Sequence, residues 1–187
     1  MNNIKRNRVC PIEVSWGLDN TLRKLVQNPR KILKPYIGQG MTVVDLGCGP
    51  GFFTIEIARM VGETGKVIAA DLQEGMLEKV NNKIKDTELE QRIGLHRCKV
   101  DEIGIEKKVD FILAFYMVHE VPDKERLFKE LKSILKPGGN LFIIEPWFHV
   151  SKRSFENMIE NLNETGFELT GKPKVAGSRA VLLTYTN

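Results

Sequence analysis

The chain has 187 residues, of which 42% are hydrophobic and 28% are charged, a composition typical of one globular domain. The formal net charge of +4 permits an anionic ligand or nucleic acid as a partner but indicates neither. The three cysteines form no C-x-x-C pair, so the sequence indicates neither a zinc motif nor a disulfide framework. The polar, basic beginning lacks a signal-peptide core, and no apolar run reaches the roughly 20 residues of a membrane helix. We therefore expect a cytoplasmic protein with no membrane partner.

Residues 1–38 precede the first predicted strand. The stretch "NTLRKLVQNPRKILKPYI" is typical of two short helices broken at Asn28-Pro29, because proline does not continue a helix that precedes it. This part is too short for a domain of its own. We expect it to form a helical cap or flank on a single domain that spans residues 39–187.

Five short apolar runs predict parallel strands covered on both faces, because most of the runs are continuous rather than alternating. They lie at 42–46, 67–70, 94–98, 109–115 and 140–145. Helical patterns separate the strands, and "LKPGGN" at 135–140 ends one helix before the fifth strand. The closing segments "TGFEL" and "SRAVLLTYT" predict a hairpin. Five strand–helix units and this hairpin indicate an α/β fold. Its doubly wound, Rossmann-like sheet would have seven mostly parallel strands, an antiparallel last strand and helices on both faces.

The first strand leads into a glycine loop, "DLGCGPG", in which Asp45 precedes Gly47, Gly49 and Gly51. Such a loop lets the backbone approach a ligand at the start of the next helix, where open α/β sheets bind cofactors. Dinucleotides and S-adenosylmethionine both use this arrangement. A dinucleotide fingerprint needs a third glycine three residues after the second, and this chain has Phe52 at that position. The spacing therefore argues against a dinucleotide.

The "DLGCGPG" pattern resembles the first motif of the class I S-adenosylmethionine-dependent methyltransferases. The segments "VIAADLQEGML", "HRCKVDEIG", "VDFILAFYMVHEV" and "LKPGGNLFIIEPW" are similar to later segments of that family and occur in the same order. The resemblance covers about residues 38–187, and its middle part is most similar to small-molecule methyltransferases of the ubiquinone-biosynthesis type. It implies an enzyme that transfers a methyl group from S-adenosylmethionine to a small-molecule acceptor.

The resemblance implies roles for four residues that follow the second and third strands. Asp71 would accept hydrogen bonds from the ribose hydroxyls, and Leu72 would lie against the adenine. Asp101 would accept from the adenine amine, with the backbone amide of Glu102 near the ring. Asp71 also fits a helix-capping role, and Asp101 also fits a solvated turn.

Two further positions would hold the methionine end of the cofactor, according to the same resemblance. Asp45 and the carbonyl of Ala114 would meet its ammonium group, and the glycine loop with Cys48 would border it. We expect the Cys48 thiol to pack within the loop rather than to act as a nucleophile. His96 and Cys98 share a strand face, but two ligands do not make a metal site, so no metal is expected.

A proton acceptor for the substrate is expected where the fourth and fifth strands end. His119, Glu120, Glu145 and His149 all fall there. His119 follows the fourth strand directly, and an ordinary histidine pKa lies near neutrality, so His119 and Glu145 are taken as the catalytic candidates. A purely structural role for His119 fits the pattern equally well.

The surroundings of this site permit two interpretations. Tyr116, Trp147 and Phe148 either wall an apolar substrate pocket or pack in the core. Family resemblance suggests that Trp16 and Asp19 belong to a short lid over the site. No long insertion builds a substrate domain, which favours a small acceptor or a homodimer that completes the pocket. No asparagine-proline-proline-type motif follows the fourth strand, so nucleic acid is not the expected substrate.

Two other functions stay open at this point. One is a non-catalytic module that binds S-adenosylmethionine or a related nucleotide. The other is a nicotinamide-dependent oxidoreductase, which the ribose-binding role of Asp71 permits but Phe52 argues against.

Overall fold

The computed structural model describes residues 27–186. Its five α-helices, within that part of the chain, are α1 (Pro29–Leu33), α2 (Thr54–Val61), α3 (Glu74–Ile84), α4 (Lys124–Ile134) and α5 (Lys152–Thr165). Its strands are β1 (Thr42–Leu46), β2 (Lys66–Asp71), β3 (Ile93–Arg97), β4 (Val109–Phe115), β5 (Leu135–Pro146), β6 (Phe167–Gly171) and β7 (Ser178–Tyr185). A 3₁₀ turn at Val118–Glu120 follows β4. None of the helices in residues 27–186 has the length and apolar character that crossing a bilayer requires.

The seven strands form one sheet in the order β3-β2-β1-β4-β5-β7-β6. The first five pair in parallel, and β7 pairs antiparallel with both β5 and β6. This arrangement confirms the predicted sheet, its terminal hairpin and its antiparallel last strand. The strand order reverses between β1 and β4, and ligands of open α/β sheets bind at the carboxyl ends of such strands.

Two apolar layers cover the two faces of the sheet. Val43, Phe111 and Phe142 face the layer that contains α1, α2 and α3. Their neighbours in sequence, such as Val44 and Ile112, face the opposite layer, which contains α4 and α5. Side chains alternate between the faces of a strand, so a continuous apolar run fills both layers at once. Helices therefore lie on both faces, as predicted.

The connection from β3 to β4 differs from the prediction of five strand–helix units. Residues 98–108 contain no helix and include one isolated bridge between Lys99 and Glu102. Ile103 and Ile105 of this loop are buried in the layer that contains α4 and α5. The loop itself covers this part of the sheet, so only four of the five predicted units have a helix.

The "LKPGGN" stretch also differs from the prediction. It belongs to β5 and is not a connection that precedes the strand. Helix α4 ends at Ile134, where the sequence predicted a stop, but Leu135 already pairs with Val109. The next pair of that ladder is Phe111 with Asn140, so the proline and glycines form an irregularity within the strand. A Cβ on Gly139 would lie 2.8 Å from the carbonyl oxygen of Lys136, which only glycine avoids.

The predicted break at Asn28-Pro29 is the start of a helix in the structure. The Asn28 side chain accepts a hydrogen bond from the backbone N–H of Lys31 at 3.0 Å, and Pro29 occupies the first helical position. The helix predicted before this break, together with Trp16 and Asp19, lies outside the described residues.

Replacing Phe142 with alanine is expected to lower the free energy of unfolding by about 3–5 kcal/mol, the usual cost of emptying a buried aromatic site. Phe142 is 0% exposed, and its ring packs edge-on against that of Tyr36 with 5.2 Å between centroids. Urea denaturation measures the loss. The matched control is Phe148→Ala, at a side chain that is 65% exposed, which should change stability by less than about 0.5 kcal/mol. Equal losses in the two variants would contradict the assignment of Phe142 to the core.

Candidate active site

The topology brings the ends of three strands together at the point where strand order reverses. Leu46 at the end of β1 lies between Ala70 of β2 and Ala114 of β4. The residues that follow each strand therefore meet at one edge of the sheet. They include the glycine loop after β1, Asp71 at the end of β2 and the 3₁₀ turn after β4.

Asp71 is buried and is bonded to the glycine loop. One carboxylate oxygen, Oδ2, accepts from the amide of Gly49 at 2.9 Å, and the other, Oδ1, accepts from the amide of Gln73 at 2.9 Å. Burial raises the pKa of Asp71, and the backbone hydrogen bonds from Gln73, Gly49 and Leu72 oppose that rise. Each oxygen of a carboxylate has a second lone pair, so Asp71 can accept further hydrogen bonds.

The glycine loop has a shape that its neighbours hold in place. Gly47 has a φ of +71°, and a Cβ there would lie 2.8 Å from Cβ of Met117, so only glycine fits. The amides of Gly47 and Cys48 both donate to the carbonyl of Ala70 in β2. Gly49 is different: apart from its neighbours in the chain, no atom of residues 27–186 lies within 4 Å of where its Cβ would be. The loop is therefore tightly packed at Gly47 and open at Gly49.

Asp45, which precedes the loop, and Cys48, which belongs to it, are both buried. The hydroxyl of Thr54 donates to Oδ2 of Asp45 at 2.6 Å, which ties the end of β1 to the start of α2. Burial raises the pKa of the Cys48 thiol, and the negative charges of Asp45 and Asp71 raise it further. A thiol in these surroundings is suited to packing, because a nucleophilic cysteine needs a lowered pKa.

Asp101 and Glu102 lie in an exposed turn beyond β3. The amide of Lys99 donates to the carbonyl of Glu102 at 2.9 Å, and the Lys99 ammonium lies 2.8 Å from the Glu102 carboxylate. This turn is beside the end of β2, because the amide of Cys98 donates to the carbonyl of Asp71 at 2.9 Å. The exposed Asp101 carboxylate is thus on the same edge of the sheet as Asp71.

His119 and Glu145 form a hydrogen-bonded pair across the ends of β4 and β5. Glu145 is 1% exposed, its Oε1 accepts from the amide of Val118 at 2.9 Å, and its Oε2 is bonded to Nδ1 of His119. The hydrogen bond with Glu145 raises the pKa of His119, while burial and the charge of Lys124 lower it. The negative charge of Glu120 adds to the rise.

A cavity of about 250 Å³ lies against this pair. Its polar lining comes from the ends of β4 and β5 and from the first turns of α4 and α5: His119, Lys124, Glu145, His149, Ser151 and Ser154. Met158 and Val150 supply its apolar wall. The His119 and His149 rings are 5.7 Å apart between centroids.

The sequence placed His119, Glu145 and His149 at this edge, but it did not single out Lys124, Ser151 or Ser154. All three lie at the start of the helix that follows β4 or β5. Ligands of open α/β sheets bind at this edge, so the position of these residues could have indicated them from the sequence.

Tyr116 is held by hydrogen bonds, whereas Trp147 and Phe148 are exposed. Tyr116 has a φ of +59°, and its hydroxyl lies 2.6 Å from Oγ of Ser178 and accepts from Nε2 of Gln27 at 2.6 Å. It therefore connects β4 to β7 and to the segment before α1. Trp147 and Phe148 are exposed, so the interpretation that they pack in the core is wrong.

Known proteins resemble this chain over most of its length. A family model described as a methyltransferase domain matches residues 37–177. The ubiquinone/menaquinone biosynthesis C-methyltransferase UbiE of Haemophilus ducreyi is 30% identical over 142 residues, which are 75% of this chain and 52% of that protein. The demethylmenaquinone methyltransferase of Lactococcus lactis is 33% identical over 127 residues, which are 66% of this chain and 50% of that protein. The chain thus spans about half the length of these curated relatives.

A solved structure has nearly the same fold. It is that of a SAM dependent methyltransferase from Aquifex aeolicus, which is 27% identical, superposes with a TM-score of 0.86 and covers 95% of this chain and 100% of its own. The glycine loop, the strand order and these relatives agree on the cofactor and the class of enzyme. The chain belongs to the class I S-adenosylmethionine-dependent methyltransferases, and S-adenosylmethionine is its cofactor.

Proposed function

We propose that the protein transfers a methyl group to a small-molecule acceptor bound in the cavity beside His119 and Glu145. The observation that supports this most is how close the cofactor loop is to the proton-accepting pair. Met117 packs against Gly47 of the loop, and the amide of the next residue, Val118, donates to Glu145. The cofactor side and the acceptor side of the site are therefore joined through adjacent residues.

The residues on the cofactor side fit S-adenosylmethionine. Asp71 retains lone pairs for two vicinal ribose hydroxyls, and the space beside Gly49 lets a ligand approach the loop. We propose that Leu72, Asp101 and the amide of Glu102 contact the adenine. Asp45 and the carbonyl of Ala114 are proposed to meet the methionine ammonium.

S-adenosylmethionine supplies, when bound, a methyl group that is already electrophilic. The protein has to hold the acceptor in line with this methyl group, exclude water and remove a proton where the acceptor has one to lose. Glu145 is bonded to Nδ1 of His119, so Nε2 is the nitrogen that receives a proton. The buried carboxylate also stabilises the imidazolium that results, because opposite charges attract strongly away from water.

We propose a small molecule rather than nucleic acid as the acceptor. The cavity of about 250 Å³ has room for a small group, and the relative from Haemophilus ducreyi is named for ubiquinone and menaquinone biosynthesis. C-methylation is the reaction named for the relative from Haemophilus ducreyi. A homodimer that completes the pocket, a cytoplasmic location and a boundary between residues 38 and 39 stay predictions of the sequence.

Replacing Asp71 with alanine is expected to weaken S-adenosylmethionine binding by about 1–3 kcal/mol, because the ribose hydroxyls lose their acceptor. Isothermal titration calorimetry measures the change, and circular dichroism shows that the variant is folded. Glu160→Ala removes an exposed carboxylate from α5 and should bind as the wild type does. Unchanged affinity in a folded Asp71→Ala protein would remove Asp71 from the cofactor site.

Replacing His119 with alanine is expected to leave cofactor binding unchanged and to slow methyl transfer by roughly 100-fold or more, the usual contribution of a general base. Turnover is measured with an acceptor found by screening a panel of small molecules. His149→Ala removes the neighbouring ring and should have the smaller effect. Normal turnover in the His119 variant would show that His119 is structural.

The pH dependence of the reaction tests the same pair. A general base acts when it is neutral, so kcat/KM should rise with pH through the pKa of His119, which lies above its ordinary value of 6.5. Glu145→Gln removes the carboxylate that raises this pKa, so the rising limb should move to lower pH. A limb that keeps its position in Glu145→Gln would contradict the role of Glu145 in setting the His119 pKa.

A further inference from the structure

We propose that the methyl acceptor is a small anion and that Lys124 binds its negatively charged group in the cavity beside His119. This inference rests on the proposed function, because it names the class of molecule that the methyltransferase acts on. It comes from the contacts of the charged groups that line the cavity.

Among the residues that the structure describes, Lys124 differs from the other cations of α4 in having no hydrogen-bond or ion-pair partner. Within residues 27–186 its ammonium makes no hydrogen bond and no salt bridge, although the side chain is half-buried. The three other cations of α4 all have an oxygen partner. Lys129 pairs with a glutamate at 2.6 Å, Arg126 lies 3.5 Å from one, and Lys132 donates to a backbone carbonyl at 2.9 Å.

The carboxylate that lines the cavity makes no ion pair with Lys124. Glu145 has one oxygen bonded to the amide of Val118 and the other to His119. Glu120 also acts on His119 through its charge, but it does not line the cavity. The Glu145 carboxylate stays negatively charged when His119 is neutral, but its hydrogen bonds go to Val118 and His119. Within residues 27–186 the Lys124 ammonium therefore lines the cavity without an ion-pair partner of its own.

The remaining lining is that of a site for a compact organic anion. Ser151 and Ser154 add hydroxyl groups, which can donate to a carboxylate or a phosphate. Met158 and Val150 are buried and supply an apolar surface on which the body of such a molecule packs. A cation partly removed from water binds an anion more strongly than an exposed one does.

The histidines of this chain allow the proposal to be tested directly. There are three, and only His119 and His149 line the cavity, whereas Nε2 of His96 is bonded to the carbonyl of Ile103. The ring resonances of ¹³C-labelled histidine are followed by NMR in the full chain saturated with S-adenosylhomocysteine. Benzoate and phenyl phosphate are the anionic probes, and benzamide is the neutral control for benzoate.

We expect at least one anionic probe to shift the His119 and His149 resonances to saturation and to leave His96 unchanged. Which of the two probes binds more tightly tells a carboxylate from a phosphate. Benzamide should bind at least roughly tenfold more weakly than benzoate. The Lys124→Gln variant should bind the anionic probe more weakly by a similar factor. The matched control is Lys129→Gln on the same helix, which should bind as the wild type does.

Two results would overturn the proposal. The first is an equal effect of benzamide and the anions, or the absence of any saturable shift. The second is an affinity for the anions that Lys124→Gln leaves unchanged. Calorimetry with S-adenosylhomocysteine separates this proposal from the proposed function. A chain that does not bind S-adenosylhomocysteine but still binds an anion through Lys124 would refute the methyltransferase function and keep the anion site.

Discussion

The hydrogen bond from the amide of Gly49 to the carboxylate of Asp71 is the interaction on which the cofactor side of this molecule depends. It joins residues that are 22 positions apart, and the parallel pairing of β1 with β2 makes it possible by placing Leu46 opposite Ala70. The glycine loop follows Leu46 and Asp71 follows Ala70, so the loop and the acid lie next to each other. The loop shape and the position of the acid are therefore set by the sheet, before a ligand arrives.

The reversal of strand order between β1 and β4 divides the proposed site into a cofactor side and an acceptor side. Buried carboxylates, those of Asp45 and Asp71, lie on the cofactor side. The acceptor side has the Lys124 ammonium, which makes no ion pair within residues 27–186, beside the bonded pair of His119 and Glu145. Met117 connects the two sides, because it packs on the glycine loop while the amide of the residue after it binds Glu145. The two buried carboxylates suit a cationic cofactor, and the Lys124 ammonium suits the anionic acceptor that we propose.

Much of the fold could be predicted because its cause is local. Continuous apolar runs predict buried parallel strands, and the short connection before β7 predicts the hairpin. The errors came from long-range contacts. Ile103 and Ile105 cover the sheet where a helix was expected, and Leu135 extends β5 because it pairs with Val109. In the site, the resemblance to methyltransferases implied the roles of the acids after the strands. A lysine at a helix start usually indicates a solvated residue, and the cavity that distinguishes Lys124 exists only in the folded chain.

The central claim is that the crevice at the ends of β1, β2 and β4 binds S-adenosylmethionine. Calorimetric titration of the wild-type protein with S-adenosylmethionine, S-adenosylhomocysteine and NAD tests it most directly. The account predicts saturable binding of the first two, with one molecule per chain, and no binding of NAD, because Phe52 stands where a dinucleotide loop needs glycine. Binding of NAD without S-adenosylmethionine or S-adenosylhomocysteine would contradict the account.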